Sequence, residues 1–160
     1  MAEKTGYSGL QIGLHWAIGI LIVLNWFVSD GMEESFDGMM EGGAVTGWTP
    51  TIHVWTGVAV LVLVAIRLLM RLFSGVPEQA SGNALLDTAG RWGHRLLYAL
   101  MIAGPALGAI SWFGMVDATA SYHVLVMNAL LILALGHSAV AIFHQFVLKD
   151  GLLIRMIRPN

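Results

Sequence analysis

The chain contains no cysteine, and that absence removes a large part of metal and redox chemistry. Disulfides, iron–sulfur clusters, thiolate metal sites and covalently attached c-type haem all need the thiol. Histidine, methionine and carboxylate remain as ligands. Charge is scarce as well. Asp, Glu, Lys and Arg make up 11% of the residues against 57% hydrophobic ones, whereas a soluble domain carries about 25% charge. The composition is therefore that of a membrane protein. The apolar runs are continuous and show no alternation, which argues against a transmembrane β-barrel. Basic residues are missing from two whole segments, Asp30 to Pro50 and Gly114 to Thr119, although these hold Asp30, Glu33, Glu34, Asp37, Glu41 and Asp117.

Four apolar stretches are present, at about 10–28, 51–73, 92–113 and 120–148. Each is long enough to cross a hydrocarbon core of roughly 30 Å as a helix. The expectation is an all-α, integral membrane four-helix bundle forming one domain over residues 1–160. Lys4, Arg67, Arg71, Arg91, Arg95, Lys149, Arg155 and Arg158 fall at the N-terminus, around the second connection, or after the last span. The positive-inside rule makes that side, and both termini, cytoplasmic. The first apolar run is preceded by one lysine and lacks a small-residue cleavage site, so it reads as a retained span and not a signal peptide. The Gly- and Met-rich segment GMEESFDGMMEGGAVTG is expected to be irregular or partly a short surface helix. Gly104-Pro105 and Gly108 lie inside the third span, where proline should bend the helix and small residues serve close helix packing.

The six histidines carry the chemistry. His123 and His137 are 14 residues apart, which on a helix brings them within about 40° of one stripe at depths ~21 Å apart. An intramembrane imidazole is costly and usually functional, and one with a free nitrogen is a natural axial ligand for haem iron. Depth pairs His53 with His123 near the outer face. His15, His94, His137 and His144 all fall in the inner half, and spacing alone leaves the inner pair open, because His144 lies within about 20° of the His137 stripe. A single imidazole of this kind also serves to hydrogen-bond a neighbouring helix or to line a proton path. Bare metal sites are a rival use, yet no helix offers histidines at i and i+4. Two opposed nitrogens at each of two levels are what two stacked low-spin haems need. Gly136 beside His137, and Gly57 one turn after His53, leave room for flat macrocycles.

The segments LQIGLHW, TIHVWTGVAVLVLVAIRLLMRL, GHRLLYALMIAGPALG and SYHVLVMNALLILALGHSAVAIFHQFVLKDGLLIRM resemble the four spans of the bacterial cytochrome b561 family, which is related to the cytochrome b subunits of hydrogenases and formate dehydrogenases. The resemblance runs from about Leu10 to Arg158 and includes the histidine of each span and the 14-residue gap. It implies two haems b, the outer held by His53 and His123 and the inner by His15 and His137. His94 and His144 match family histidines that do not ligate iron, and they are candidates for quinone binding or proton handling. Arg67 and Arg71 read first as membrane anchors; the sharper reading pairs Arg71 with a haem propionate. Trp16 and Trp55 read as interfacial aromatics.

The resemblance further implies transmembrane electron transfer in the bacterial inner membrane between a periplasmic donor and ubiquinone or menaquinone. Superoxide is one candidate donor, as in a superoxide:ubiquinone oxidoreductase. The acidic outer loops would repel that anion and better suit a basic periplasmic redox protein. A membrane-anchor subunit wiring a dehydrogenase or hydrogenase to quinone is the alternative, and a histidine-lined proton or metal transporter a third. Membrane lipid is the remaining partner, and none is expected among nucleic acids.

Overall fold

The computed structural model describes residues 6–74 and 84–159. Lys4, one of the residues that orient the chain in the sequence reading, lies outside them. Five α-helices account for most of the described chain: α1 (Gly9–Phe27), α2 (Met32–Met40), α3 (Thr49–Ser74), α4 (Ala84–Gly114) and α5 (Asp117–Phe143). α5 runs on through a π-helical turn, His144–Leu148, and a short 3-10 turn follows at Ile154–Met156. Four segments are long and apolar enough to cross a membrane: Gly9–Phe27, Thr49–Phe73, Ala84–Gly114 and Asp117–Leu148. Among the described residues there is no strand.

Local chemistry sets the boundaries. Ser8 caps α1: its hydroxyl accepts from the Gln11 amide at 3.3 Å, while the Gln11 side chain accepts from the Ser8 amide at 3.0 Å. This reciprocal box satisfies two amide donors that a helix start otherwise leaves bare. Between α4 and α5 the chain reverses in a few residues. Met115 takes a left-handed conformation (φ 52°), and Ser111 and Thr119 both donate their hydroxyls to the Val116 carbonyl. Pro105 sits inside α4 without ending it.

The start of α4 differs from the sequence reading, and the acidic connection holds the short helix which that reading allowed. α4 begins at Ala84, well before the apolar window at Trp92, because Asp87, Thr88 and Arg91 lower the hydropathy of a stretch that is nonetheless helical. Thr88 donates to the Ala84 carbonyl and accepts from Arg91, polar contacts along the helix surface. The acidic connection contains a true helix, α2, which buries Phe36 and packs on α3.

α1 packs on α3, α3 on α4, and α4 most extensively on α5. The core is one layer of five buried side chains, Ile18 and Ile22 from α1, Val60 and Val64 from α3, and Leu130 from α5. Leu130 lies midway between His123 and His137 in sequence. The layer therefore separates two ends of the bundle, an acid-rich one with α2 and an arginine-bearing one. The opposite face of α5 is bare: Ile132 and Leu135 are 72% and 71% exposed, as lipid-facing side chains are. In lipid, close packing and not water exclusion holds such helices together.

Candidate cofactor site

At the acid-rich end, His53 rises from the first turns of α3. α1 ends nearby, and the Ser29 amide turns back to the Trp26 carbonyl, which leaves the Asn25 carbonyl without its helical partner. The His53 Nδ1–H donates to that oxygen at 3.2 Å. From α5, the His123 Nδ1–H donates to the Gly104 carbonyl at 2.7 Å. Carbonyl acceptors fix the tautomer of both rings, so Nε2 of each is the free ligand atom. The ring centres stand 6.2 Å apart with planes at 87°. A metal–imidazole bond of about 2.0–2.1 Å puts each ring centre roughly 3 Å from the ion, so two rings sharing one ion have centres ~6 Å apart. The pair fits a shared metal.

Space for a macrocycle accompanies the pair. A cavity of about 680 Å³ is lined by His53 and His123 together with Gly57, Gly108, Phe36 and Trp112, within the ~300–1,000 Å³ usual for cofactor sites. Gly108 is required by close approach: a Cβ there would lie 2.9 Å from Nδ1 and Cε1 of His123. Asn25 lines the same cavity, and its buried Oδ1 has no partner. Glu33, Asp37 and Asp117 also line the cavity, and among the described residues no lysine or arginine does.

At the arginine end, His15 of α1 and His137 of α5 repeat the arrangement, with ring centres 6.3 Å apart and planes at 71°. His94 of α4 donates Nδ1–H to the Gly90 carbonyl at 2.8 Å, and its ring centre is 5.1 Å from that of His137. That is edge contact, shorter than two rings flanking one ion would have. Both His15 and His94 thus lie against His137, at different ring separations. The Arg67 guanidinium donates to the Gln11 carbonyl, one turn before His15. Arg71 lies over the Tyr98 ring, 5.7 Å from its centre.

His144 stands apart from these rings. Its Nδ1 bonds Asp150 Oδ2 at 2.5 Å, across the π-helical turn and a left-handed Lys149. The hydrogen bond from His144 holds the Asp150 carboxyl below its ordinary pKa, and the Leu152 amide and Arg155 act in the same sense. Trp16 donates its indole N–H to the Met156 carbonyl at 2.7 Å, tying α1 to the C-terminal segment. Trp55 is 62% exposed and rests edge-on against Phe113. Asn25 and Asp150 escape the sequence reading, whereas Gly108, read there as a point of close helix packing, is where the His123 ring approaches α4. A lone amide in an apolar span is the signal that marks Asn25; nothing local marks Asp150.

Opposed imidazoles inside an apolar four-helix bundle are the architecture of a b-type membrane cytochrome. The chain belongs to the prokaryotic cytochrome b561 family, whose profile matches residues 6–159. It is 43% identical over 160 residues to "Cytochrome b562" of Cereibacter sphaeroides, covering 100% of both chains. It is 29% identical to "Probable superoxide oxidase CybB" of Yersinia pestis, over 94% of this chain and 95% of that one. With "Cytochrome b561 homolog 2" of Escherichia coli it shares 24% identity over 94% and 90% of the two chains. No solved structure gives a significant match. The protein is thus a haem b-binding, multi-pass electron-transport protein of the prokaryotic inner membrane.

Proposed function

We propose that the chain carries two haems b and passes electrons across the membrane between a periplasmic donor and quinone. The observation that carries the reading is the near-equality of the two imidazole separations, 6.2 Å for His53 with His123 and 6.3 Å for His15 with His137. Bound haem supplies a one-electron iron couple at each level. His53 and His123 hold the outer one; the Asn25 and Gly104 carbonyls keep both Nδ1 atoms protonated and both Nε2 atoms free. His15 and His137 hold the inner one, and Arg71 lies at the same end for a propionate. The arginine end faces the cytoplasm, following the basic residues, and the acid-rich end faces the periplasm. Pyridine haemochrome analysis of the purified protein, set against its protein content, should give two haems per chain. One haem or none would sink the reading.

Ubiquinone or menaquinone is the proposed inner partner. His144, oriented by Asp150, is the proposed proton exchanger for it at the cytoplasmic end, and His94 a second one beside the inner haem.

Superoxide is a proposed donor on the strength of the Yersinia relative's name. The acid lining argues for a basic redox protein beside it. An unopposed negative mouth slows an anion and speeds a cation, by amounts that shrink as salt cuts the Debye length from ~30 Å at 0.01 M to ~8 Å at 0.15 M. Stopped-flow reduction of the outer haem by superoxide should therefore quicken with added salt, and reduction by a basic cytochrome should slow. Superoxide reduction that is fastest at low salt would instead reveal a positive entry site and leave superoxide as the leading donor.

A further inference from the structure

The two imidazole pairs sit in opposite electrostatic surroundings. At the end of the bundle that holds His15 and His137, Arg67 is partly buried and tethered to the Gln11 carbonyl, one turn before His15, and Arg71 lies over the Tyr98 ring. Around His53 and His123 the cavity wall offers Glu33 and Asp37 from α2 and Asp117 from α5, with no cation among the described lining residues. Adding an electron to a site is favoured by a neighbouring cation and opposed by neighbouring anions, and a low-dielectric interior screens the effect poorly.

We infer that Arg67 holds the inner haem at the higher potential while the acidic lining holds the outer one lower, so that the protein is built to move electrons inward, from the acid-rich face to the arginine face. This rests on the two-haem reading above. One fixed charge ~10 Å away at an effective dielectric of ~20 biases an electron's residence roughly tenfold, and a tenfold change in a one-electron equilibrium corresponds to about 59 mV. The exposed acids are screened and contribute less each. A propionate brought in by the inner haem does not alter the sign: Arg71, at the same end of the bundle, is placed to neutralise it, which leaves the Arg67 charge uncompensated. Arg67 touches no reacting atom in this account; it sets the energy of the electron at its end of the bundle.

Optical redox titration of the purified holoprotein reads this directly. The two components are assigned with His53→Ala, which retains only the inner one. The outer component should titrate below the inner. Arg67→Gln should lower the inner potential by about 59 mV, a tenfold shift, and leave the outer unmoved; Arg67→Lys should restore most of it. Glu33→Gln with Asp37→Asn should raise the outer potential by a smaller amount that shrinks with salt. An outer component at or above the inner, an unmoved inner potential in Arg67→Gln, or a Lys variant that behaves like Gln would each overturn the inference. If Arg67→Gln loses its inner haem, the acid variants decide, and an unmoved outer potential overturns it. A wild-type protein with a single haem brings down the two-haem reading itself, a result recognisable before any variant is made.

Discussion

Replacing His53 or His123 with alanine should remove one haem of two and leave the other, and replacing His15 or His137 should remove the opposite one. The expected change is whole, not graded, because on the two-haem proposal each iron would have two protein ligands, and the spare imidazoles are placed elsewhere. His94 is the nearest spare imidazole, yet its ring is in edge contact with His137 and its Nδ1–H is committed to the Gly90 carbonyl. His144 is held by Asp150 beyond the π-helical turn. The haem-to-protein ratio of each variant should fall from two to one. Removal of the inner haem by His144→Ala, with His137→Ala harmless, would put the inner ligand one level too deep in the scheme above.

The second large effect needs no ligand to be touched. Gly108→Ala places a methyl group 2.9 Å from two atoms of the His123 ring, closer than van der Waals contact permits. A flexible neighbour would move aside, as the Met127 thioether can at Gly104, but the His123 ring is pinned through Nδ1 to the Gly104 carbonyl at 2.7 Å. The ring must tilt, breaking that bond and turning Nε2 away from the axis shared with His53. Overpacking of this kind costs about 1–3 kcal/mol, and the outer haem should be lost or weakly held while the inner remains. Gly19→Ala is the control, since Gly19 is exposed on α1 and a Cβ there meets nothing within 4 Å. Equal retention of the outer haem in the two variants would show that the acid-rich end has more slack than its packing suggests.

How much of this is legible in the sequence depends on whether the signal is local. The spans are legible because each is a long uninterrupted apolar run, and the His123–His137 stripe because both residues share one helix, where 3.6-residue periodicity fixes relative direction. How closely His15 and His94 each approach His137 depends on how α1 and α4 are rotated against α5, which no one-dimensional pattern encodes. The start of α4 is hidden because Asp87, Thr88 and Arg91 lower the hydropathy without breaking the helix. Asn25 and Gly104 enter through their carbonyls, and a backbone oxygen carries no residue-type signature. Arg67 reads as a membrane anchor until the fold brings α3 against α1 and the guanidinium onto Gln11.

The five-residue layer of Ile18, Ile22, Val60, Val64 and Leu130 bears on what else can pass between the two ends. None of these side chains carries a hydroxyl, carboxyl or amide, so none can relay a proton or order a file of water across the middle of the bundle. An electron needs no such chain. On the two-haem proposal the layer would act as the insulator of a capacitor whose plates are the two imidazole levels, one that an electron crosses without any proton-carrying side chain among these five. A charge crossing the whole membrane exchanges about 2.3 kcal/mol with every 100 mV, and an electron crossing this layer would exchange the fraction of that figure set by the layer's share of the membrane thickness.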